Sequence, residues 1–456
     1  MLSLDELQMD ESLDTVLTAI VDMQGRLVGK RLHKSYFTKS VCEHGTHFCK
    51  YLLATDMEMS PDGGFSTASW SEGFGDFSVV PDLLTLRRVP WLSGTAMVLC
   101  DVIDSETGEE VPHAPRAMLK KQMKILKDEY GYELKAATEL EFFLFNQSLD
   151  VLKKNQYTKI EPIGWYNEDY SIFGTVKEEN IMRPIRNALF QSGIPIEGSK
   201  GEAEAGQQEL NIKYSSAELA CEHHIIAKHA VKDIAFLNNY SASFMAKYRA
   251  DRVGSAAHIH LSLWQNNNSV FYDPNQNFGM SNIMQHFLAG LLALAPESTL
   301  FHAPSINSYK RFTAESFAPT KILWSVDNRT AAFRLVAPNT SAVRIECRIP
   351  GADANPYLSL AAIIASGIYG IKNKLPLSKP FQGDAYSSST TATQYCANSI
   401  PSTLRDAIPI FKSSSVFREA FGPDVVDHYA QAAIFEQTSF DKAVTDWELN
   451  RYFERA

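Results

Sequence analysis

Six cysteines are scattered through the 456 residues, and no two form a Cys-x-x-Cys pair. That spacing argues against a disulfide framework and against a thiolate zinc site, and implies incidental thiols in a reducing, cytoplasmic setting. Long apolar runs are also lacking. The longest, LSLAAIIASGIYGI, is too short to span a bilayer and reads as a buried helix, so no membrane partner is expected. The start, MLSLDELQMDESLD, is acidic and has no apolar centre, so no signal peptide is expected. Positive charge is in deficit: 43 Lys plus Arg face 53 acids, for a net charge of -10, which disfavours a general nucleic-acid binder while leaving room for a local basic pocket. There is no internal repeat, heptad run or low-complexity block. The polar stretch 384–399, DAYSSSTTATQYCANS, is the best candidate for a long surface loop.

What is present is an ordinary globular composition, 45% hydrophobic and 21% charged, in a chain long enough for two domains. Residues 15–32 read as strand, turn and strand around Met23–Gly25. Short strand-like runs follow to residue 110. APRAMLKKQMKILKDEYG then has helical periodicity, with Pro near its start and Gly at its end. This places a boundary near residue 111, with domains 1–110 and 111–456. Beyond it, LKAATELEFFLF alternates so that Glu139, Glu141 and Phe143 share one face. GQQELNI, AAHIHLSLW and RIECRIPG repeat the pattern, and residues 217–239 and 354–373 read as helices packed on the sheet. The fold class is α+β, with a curved antiparallel sheet flanked by helices and a charged concave face.

Glu139, Glu141, Glu202, Glu209, His258 and Glu346 all fall in segments that read as buried strand. A carboxylate there is unfavourable unless it is paired or binds a cation, and five together would repel one another. Hard oxygen donors with one imidazole suit Mg2+ or Mn2+. Taken alone, each motif has a plainer reading: a Glu-x-Glu is usually a solvated strand face, and an Arg-x-Glu-x-Arg strand a surface ion-pair ladder.

Taken in order, TELEFF, AGQQEL, GSAAHIHLSLW, INSYKRF, NRTAAFR, RIECRIPGADANPYL and the closing VTDWELNRYF resemble the glutamine synthetase superfamily over most of residues 15–456. The resemblance implies a small N-terminal β-grasp domain, a large catalytic domain, and ring-shaped oligomers, often of twelve subunits, with active sites between neighbours. It also implies ATP-dependent activation of the glutamate γ-carboxylate as γ-glutamyl phosphate, which an amine then attacks. By this resemblance Glu141, Glu202 and Glu209 hold one metal ion, and Glu139, His258 and Glu346 hold another. Arg311 is the glutamate-carboxylate ligand. Arg329, Arg334 and Arg348 contact phosphates or the transferred group. Gly254 lies in the loop approaching glutamate, and His260 and Ser262 align with nucleotide-contacting positions.

The chain departs from ammonia-using members in four places. The N-terminal Asp-Gly-Ser-Ser turn that binds ammonium is replaced by YLLATDMEMSPDGGFSTASW, leaving Asp56 and Asp62 as candidate acids. The flap reads RFTAESFAPTK, with Phe317 where the family carries a Glu and Glu315 displaced by two residues. Val253 stands for a glutamate-contacting Asn. Ser341 stands for a nucleotide-side Lys, the adenylylation motif is not recognisable, and Tyr386 reads as an ordinary loop residue. Phe for Glu removes charge and supplies an aromatic wall, suited to an amine with hydrocarbon bulk. An alkylamine, a cation near neutrality like lysine, would still want an acid nearby. The expected activity is therefore ligation of glutamate to an organic amine, alkyl or aromatic. Alternatives are glutamine synthesis from ammonia, a polyamine- or ethanolamine-specific ligase, and a non-catalytic structural relative.

Overall fold

The computed structural model describes residues 1–387 and 398–456, so the loop expected at 384–399 lies mostly outside the described residues. The first sheet is built from β1 (Thr15–Val21), β2 (Leu27–His33), β3 (Thr46–Cys49), β4 (Asp76–Pro81), β5 (Arg87–Arg88) and β6 (Thr95–Ile103). Its order is β2-β1-β6-β4-β3, with β5 on β6, and β1 runs parallel to β6. The expected strand–turn–strand at 15–32 is the β1–β2 hairpin. Its turn needs Gly25 at φ +75, where an added Cβ would come 3.2 Å from Asn355 Cα. Asn355 Nδ2 in turn donates to the Asp22 carbonyl at 3.0 Å, so the hairpin tip docks on the start of helix Pro356–Lys372.

A second junction is ionic. Arg116, buried on helix Pro115–Tyr130, donates to Asp82 just past β4 at 2.7 Å, to Asp101 of β6 at 3.0 Å, and to Glu222 of helix Ala217–Leu237 at 3.2 Å. Helix Pro115–Tyr130 starts with Pro at its first turn and stops where Gly131 turns left-handed, as its sequence requires.

The second sheet comprises β7 (Glu133–Phe145), β8 (Ile196–Gly201), β9 (Gln207–Ile212), β10 (Ser215–Ser216), β11 (Ser241–Ser243), β12 (Ala257–Gln265), β13 (Asn268–Ser269), β14 (Trp324–Val326), β15 (Phe333–Val336) and β16 (Arg344–Cys347). Its main path is β14-β15-β16-β12-β7-β9-β8. The expectation of a wholly antiparallel sheet needs one correction, because β14 and β15 run parallel. One face is apolar: Leu140, Phe142 and Leu210 pack with Ile226, Ala230 and Val231 of helix Ala217–Leu237. Helices Asn282–His302 and Pro356–Lys372 close the other end of the core. No helix among the described residues is long and apolar enough to cross a membrane.

Candidate active site

The polar face of the second sheet is assembled by register. Glu139 lies opposite His258, Glu141 opposite Glu209, and His260 and Arg334 both opposite Glu346. Cross-strand partners point the same way, so five strands deliver their acids, imidazoles and arginine to one row. A cavity of about 430 Å3 opens over that row. Of the residues singled out in the sequence, Glu139, Glu141, Glu202, Glu209, His258, Gly254, Arg311, Phe317, Arg329, Arg334 and Arg348 line it.

The acids fall into two groups. Oxygens of Glu141, Glu202 and Glu209 lie within 4.8 Å of one another. Burial, then the neighbouring carboxylates, pushes Glu141 well above the usual carboxylate range and Glu209 to about 8. Glu141 Oε2 accepts from the Ala256 amide at 2.7 Å, and Lys200 binds Glu202. Glu202 is a correction to the strand reading: it sits just past the end of β8, in the turn to β9.

In the second group Glu139, His260 and Glu346 present atoms within 4.8 Å of one another. His258 Nδ1 stands 3.2 Å from Glu139, 3.7 Å from Glu346 and 4.0 Å from Glu141, so it lies between the two groups. Burial opposes ionisation of Glu139, but hydrogen bonds from His258 and His260 outweigh it and hold the group far below its ordinary value. Glu346 is fully buried, and despite that burial Arg348 and His258 hold it low. Arg334 Nη1 donates to it at 2.9 Å, and Arg348 donates to its other oxygen.

Arg311 is buried, anchored on the carbonyls of Ile349 and Arg348 and lowered to about 10 by burial. Gly254 lies against it: a Cβ there would meet Arg311 Cγ at 2.4 Å. Arg329 is exposed at the rim. Phe317 is 55% exposed, and both it and Glu315 take left-handed backbone, at φ +58 and +59. Such conformations persist where surroundings enforce them. Here the Phe317 carbonyl accepts from Arg348 at 3.2 Å, and the Tyr386 hydroxyl donates to the Ala318 carbonyl at 2.9 Å. Tyr386, read from sequence as an ordinary loop residue, thus braces the flap.

Three expected residues are not gathered with the others. Asp56 accepts from the Ser60 amide at 2.8 Å and lines a different, more apolar cavity of about 580 Å3. Asp62 accepts from Trp70 Nε1 at 3.2 Å on the surface. Ser262 accepts from Trp264 Nε1 at 2.9 Å, two residues along β12 from His260 and outside the cavity lining. Conversely, Asp169, Tyr170, Lys200 and Gln207 line the cavity without having been singled out. Gln207 stood in a quoted motif, and its Nε2 ties Glu141 to the Gly254 carbonyl. The other three come from loops and a strand end whose sequence carries no periodic signal. Arg344, read only as a strand-face residue, donates to His260 Nδ1 at 3.3 Å.

The donor set fits divalent cations. Three clustered carboxylates facing one lysine leave negative charge that a buried site does not tolerate, and two of the three are pushed toward protonation for that reason.

Comparisons with known proteins give the family. The family model "Glutamine synthetase, catalytic domain" matches residues 112–452. The chain is 43% identical over 445 residues to the γ-glutamylethanolamide synthetase GlnA4 of Streptomyces coelicolor, covering 97% of this chain and 93% of that one. It is 36% identical over 444 residues to a glutamate–isopropylamine ligase of a Pseudomonas species, with coverage of 97% and 95%. A solved structure titled GmaS/ADP complex superposes with a TM-score of 0.85 at 25% identity, covering 99% of this chain and 100% of that one. On these grounds the chain belongs to the glutamine synthetase family.

Proposed function

We propose that the protein joins glutamate to an organic amine at the expense of ATP, through γ-glutamyl phosphate, giving a γ-glutamylamide. The observation that carries this is an apolar ring, Phe317, half exposed in the lining of a cavity whose charged groups are mainly acids and arginines, at the flap position where the resemblance expects a Glu. Support also comes from two relatives whose names specify an ethanolamide and an isopropylamine product or substrate.

Glu141, Glu202 and Glu209 would hold one Mg2+ or Mn2+, and Glu139, Glu346 and His258 another, with His260 fixing Glu139. Bound there, the ions supply charge neutralisation for phosphoryl transfer. Arg311, beside Gly254, binds a glutamate carboxylate through paired donors. The γ-carboxylate oxygen attacks the terminal phosphorus of ATP and ADP departs. Arg329, Arg334 and Arg348 face the phosphates and the transferred group; His260 and Ser262 remain on the nucleotide side. The amine nitrogen then attacks the acyl carbon, phosphate leaves, and the amine proton passes to a nearby acid. Because Asp56 and Asp62 do not reach this cavity within one chain, they would serve it from an adjacent copy in a ring assembly, with Glu315 the alternative from the same chain. The same reading carries a domain boundary near residue 111 and a β-grasp topology for the first sheet, supported by the two sheets sharing no strand.

The test is ADP formation with glutamate and Mg2+ across ammonia, ethanolamine, isopropylamine, aniline and putrescine. Turnover with an organic amine well above that with ammonia is expected. Preference for ammonia would overturn the reading in favour of glutamine synthesis.

A further inference from the structure

Next to the cavity, outside the metal-binding groups, two carboxyls are buried together. Glu168 and Glu178 are both 0% exposed. Glu168 Oε1 accepts from Lys177 Nζ at 3.1 Å, and Glu178 Oε2 accepts from Gln208 on β9. The two carboxyls lie within hydrogen-bonding reach of each other. Their remaining oxygens, Glu168 Oε2 and Glu178 Oε1, have no other partner among the described residues. Two carboxylates and one lysine leave a net negative charge in an enclosed site. One proton between the carboxyls removes that charge and gives the orphaned oxygens a partner.

The enclosure is tight because glycines form it. A Cβ at Gly164 would come 2.6 Å from Glu168 Oε2, and one at Gly201 would come 2.7 Å from the Glu168 carbonyl. What the pair holds is the segment entering the cavity. The Tyr170 amide donates to the Gly201 carbonyl at 3.3 Å. Asp169 accepts from Lys200 Nζ at 2.9 Å, and the same Nζ binds Glu202.

We propose that Glu168 and Glu178 share one proton and act as a positioning pair, clamping the loop against β8 and β9 and, through Asp169 and Lys200, fixing the direction of the Glu202 carboxylate. The inference rests on Glu202 being a metal ligand. Burial, then the hydrogen bond and charge of Glu168, raises Glu178 to about 9. The groups facing the pair are Lys177 beside it, Gln208 from β9 and backbone from β8, so loss of the proton leaves two carboxylates against one cation.

The experiment is calorimetric Mg2+ titration of metal-free protein, without nucleotide, at about pH 7.5 and about pH 9.5. Glu178→Gln keeps a donor toward Glu168 and an acceptor for Gln208, so it should bind like wild type at the lower pH. Deprotonation of Glu141 and Glu209 changes affinity in both proteins alike, and beyond that shared change Glu178→Gln should bind Mg2+ more tightly than wild type at the higher pH. Glu178→Ala should bind about tenfold more weakly at the lower pH, the scale of losing a partner that orients a ligand. Glu202→Gln is the control for the ligand assignment. Normal Mg2+ binding by Glu202→Gln would overturn that assignment and the proposal with it. Weakened binding by Glu202→Gln beside unchanged binding by Glu178→Ala would overturn the positioning role alone. If Glu178→Ala does not fold, an equal change in affinity between the two pH values in wild type and Glu178→Gln would overturn it.

Discussion

Gly254→Ala tests the proposed glutamate site through a single added carbon. The new Cβ would lie 2.4 Å from Arg311 Cγ, 2.9 Å from its Cδ and 2.5 Å from the Ala246 carbonyl oxygen. The carbonyl cannot yield easily, since it accepts from the Ser255 amide at 2.9 Å. Arg311 cannot yield freely either, because it is buried and its far end is anchored on the Ile349 carbonyl. Restoring normal contact requires moving one or the other by ~1 Å, and a displacement of that size in a positioning group can reduce rate about 100-fold. Hydrogen bonds to charged groups contribute ~1.5–3 kcal/mol each. Losing one between Arg311 and the substrate should therefore raise the glutamate KM ~10–100-fold. Steady-state kinetics with glutamate varied at saturating ATP, amine and Mg2+ measures this, with the ATP KM as an internal control expected to change little. Thermal unfolding separates local overpacking, which amounts to ~1–3 kcal/mol, from collapse of the fold. An unchanged glutamate KM in a folded variant would refute both the crowding at Arg311 and its role as carboxylate ligand.

Phe317→Glu should move preference toward ammonia by about tenfold in kcat/KM, since a carboxylate replaces an apolar wall; no change in the ratio of amine to ammonia would remove Phe317 from the amine site. Arg116→Ala should destabilise the protein by up to ~3–5 kcal/mol in chemical denaturation, because it removes the buried cation shared by Asp82, Asp101 and Glu222, leaving Asp82 with no cation among the described residues, Asp101 with Lys120 alone and the buried Glu222 with Arg87 alone at 3.4 Å. A linkage prediction follows for Glu209. Its folded value near 8 lies above the ordinary range, so in metal-free protein its contribution to stability is full at low pH and is lost as pH rises through about 8. Glu209→Gln should flatten that decline between ~pH 5 and ~pH 8 in thermal melts, and Mg2+ should counter it in wild type. Equal slopes for Glu209→Gln and wild type would show that the clustered carboxylates do not create the strain described.

Much of the site was readable before folding because period-two alternation has local causes. Glu139 and Glu141 share a face on any strand, and so do Arg344 and Glu346 on theirs. The helix at 115–130 was equally legible, since Pro and Gly act on their own backbone. Glu202 was misread as a strand residue because a turn of a few residues between β8 and β9 carries too short a pattern to separate it from its flanks. Asp169 and Tyr170 were missed because they reach the cavity by loop path, and Lys200 because its short strand β8, IEGSKG, shows no alternation of apolar and polar residues. Tyr386 gave no sign of its contact with the flap, whose partner Ala318 lies 68 residues away.

The sequence by itself determined the identity and order of the acid, imidazole and arginine donors, and the face each would take on its own strand, because side-chain direction follows local backbone geometry. Only the tertiary structure decided the register that sets Glu139 against His258 and Glu141 against Glu209, the pairing of Glu168 with Glu178, and the separation of Asp56 and Asp62 from the cavity. Those depend on which distant segments pack together, a choice fixed by burying the common apolar face of the sheet and not by any one stretch of chain.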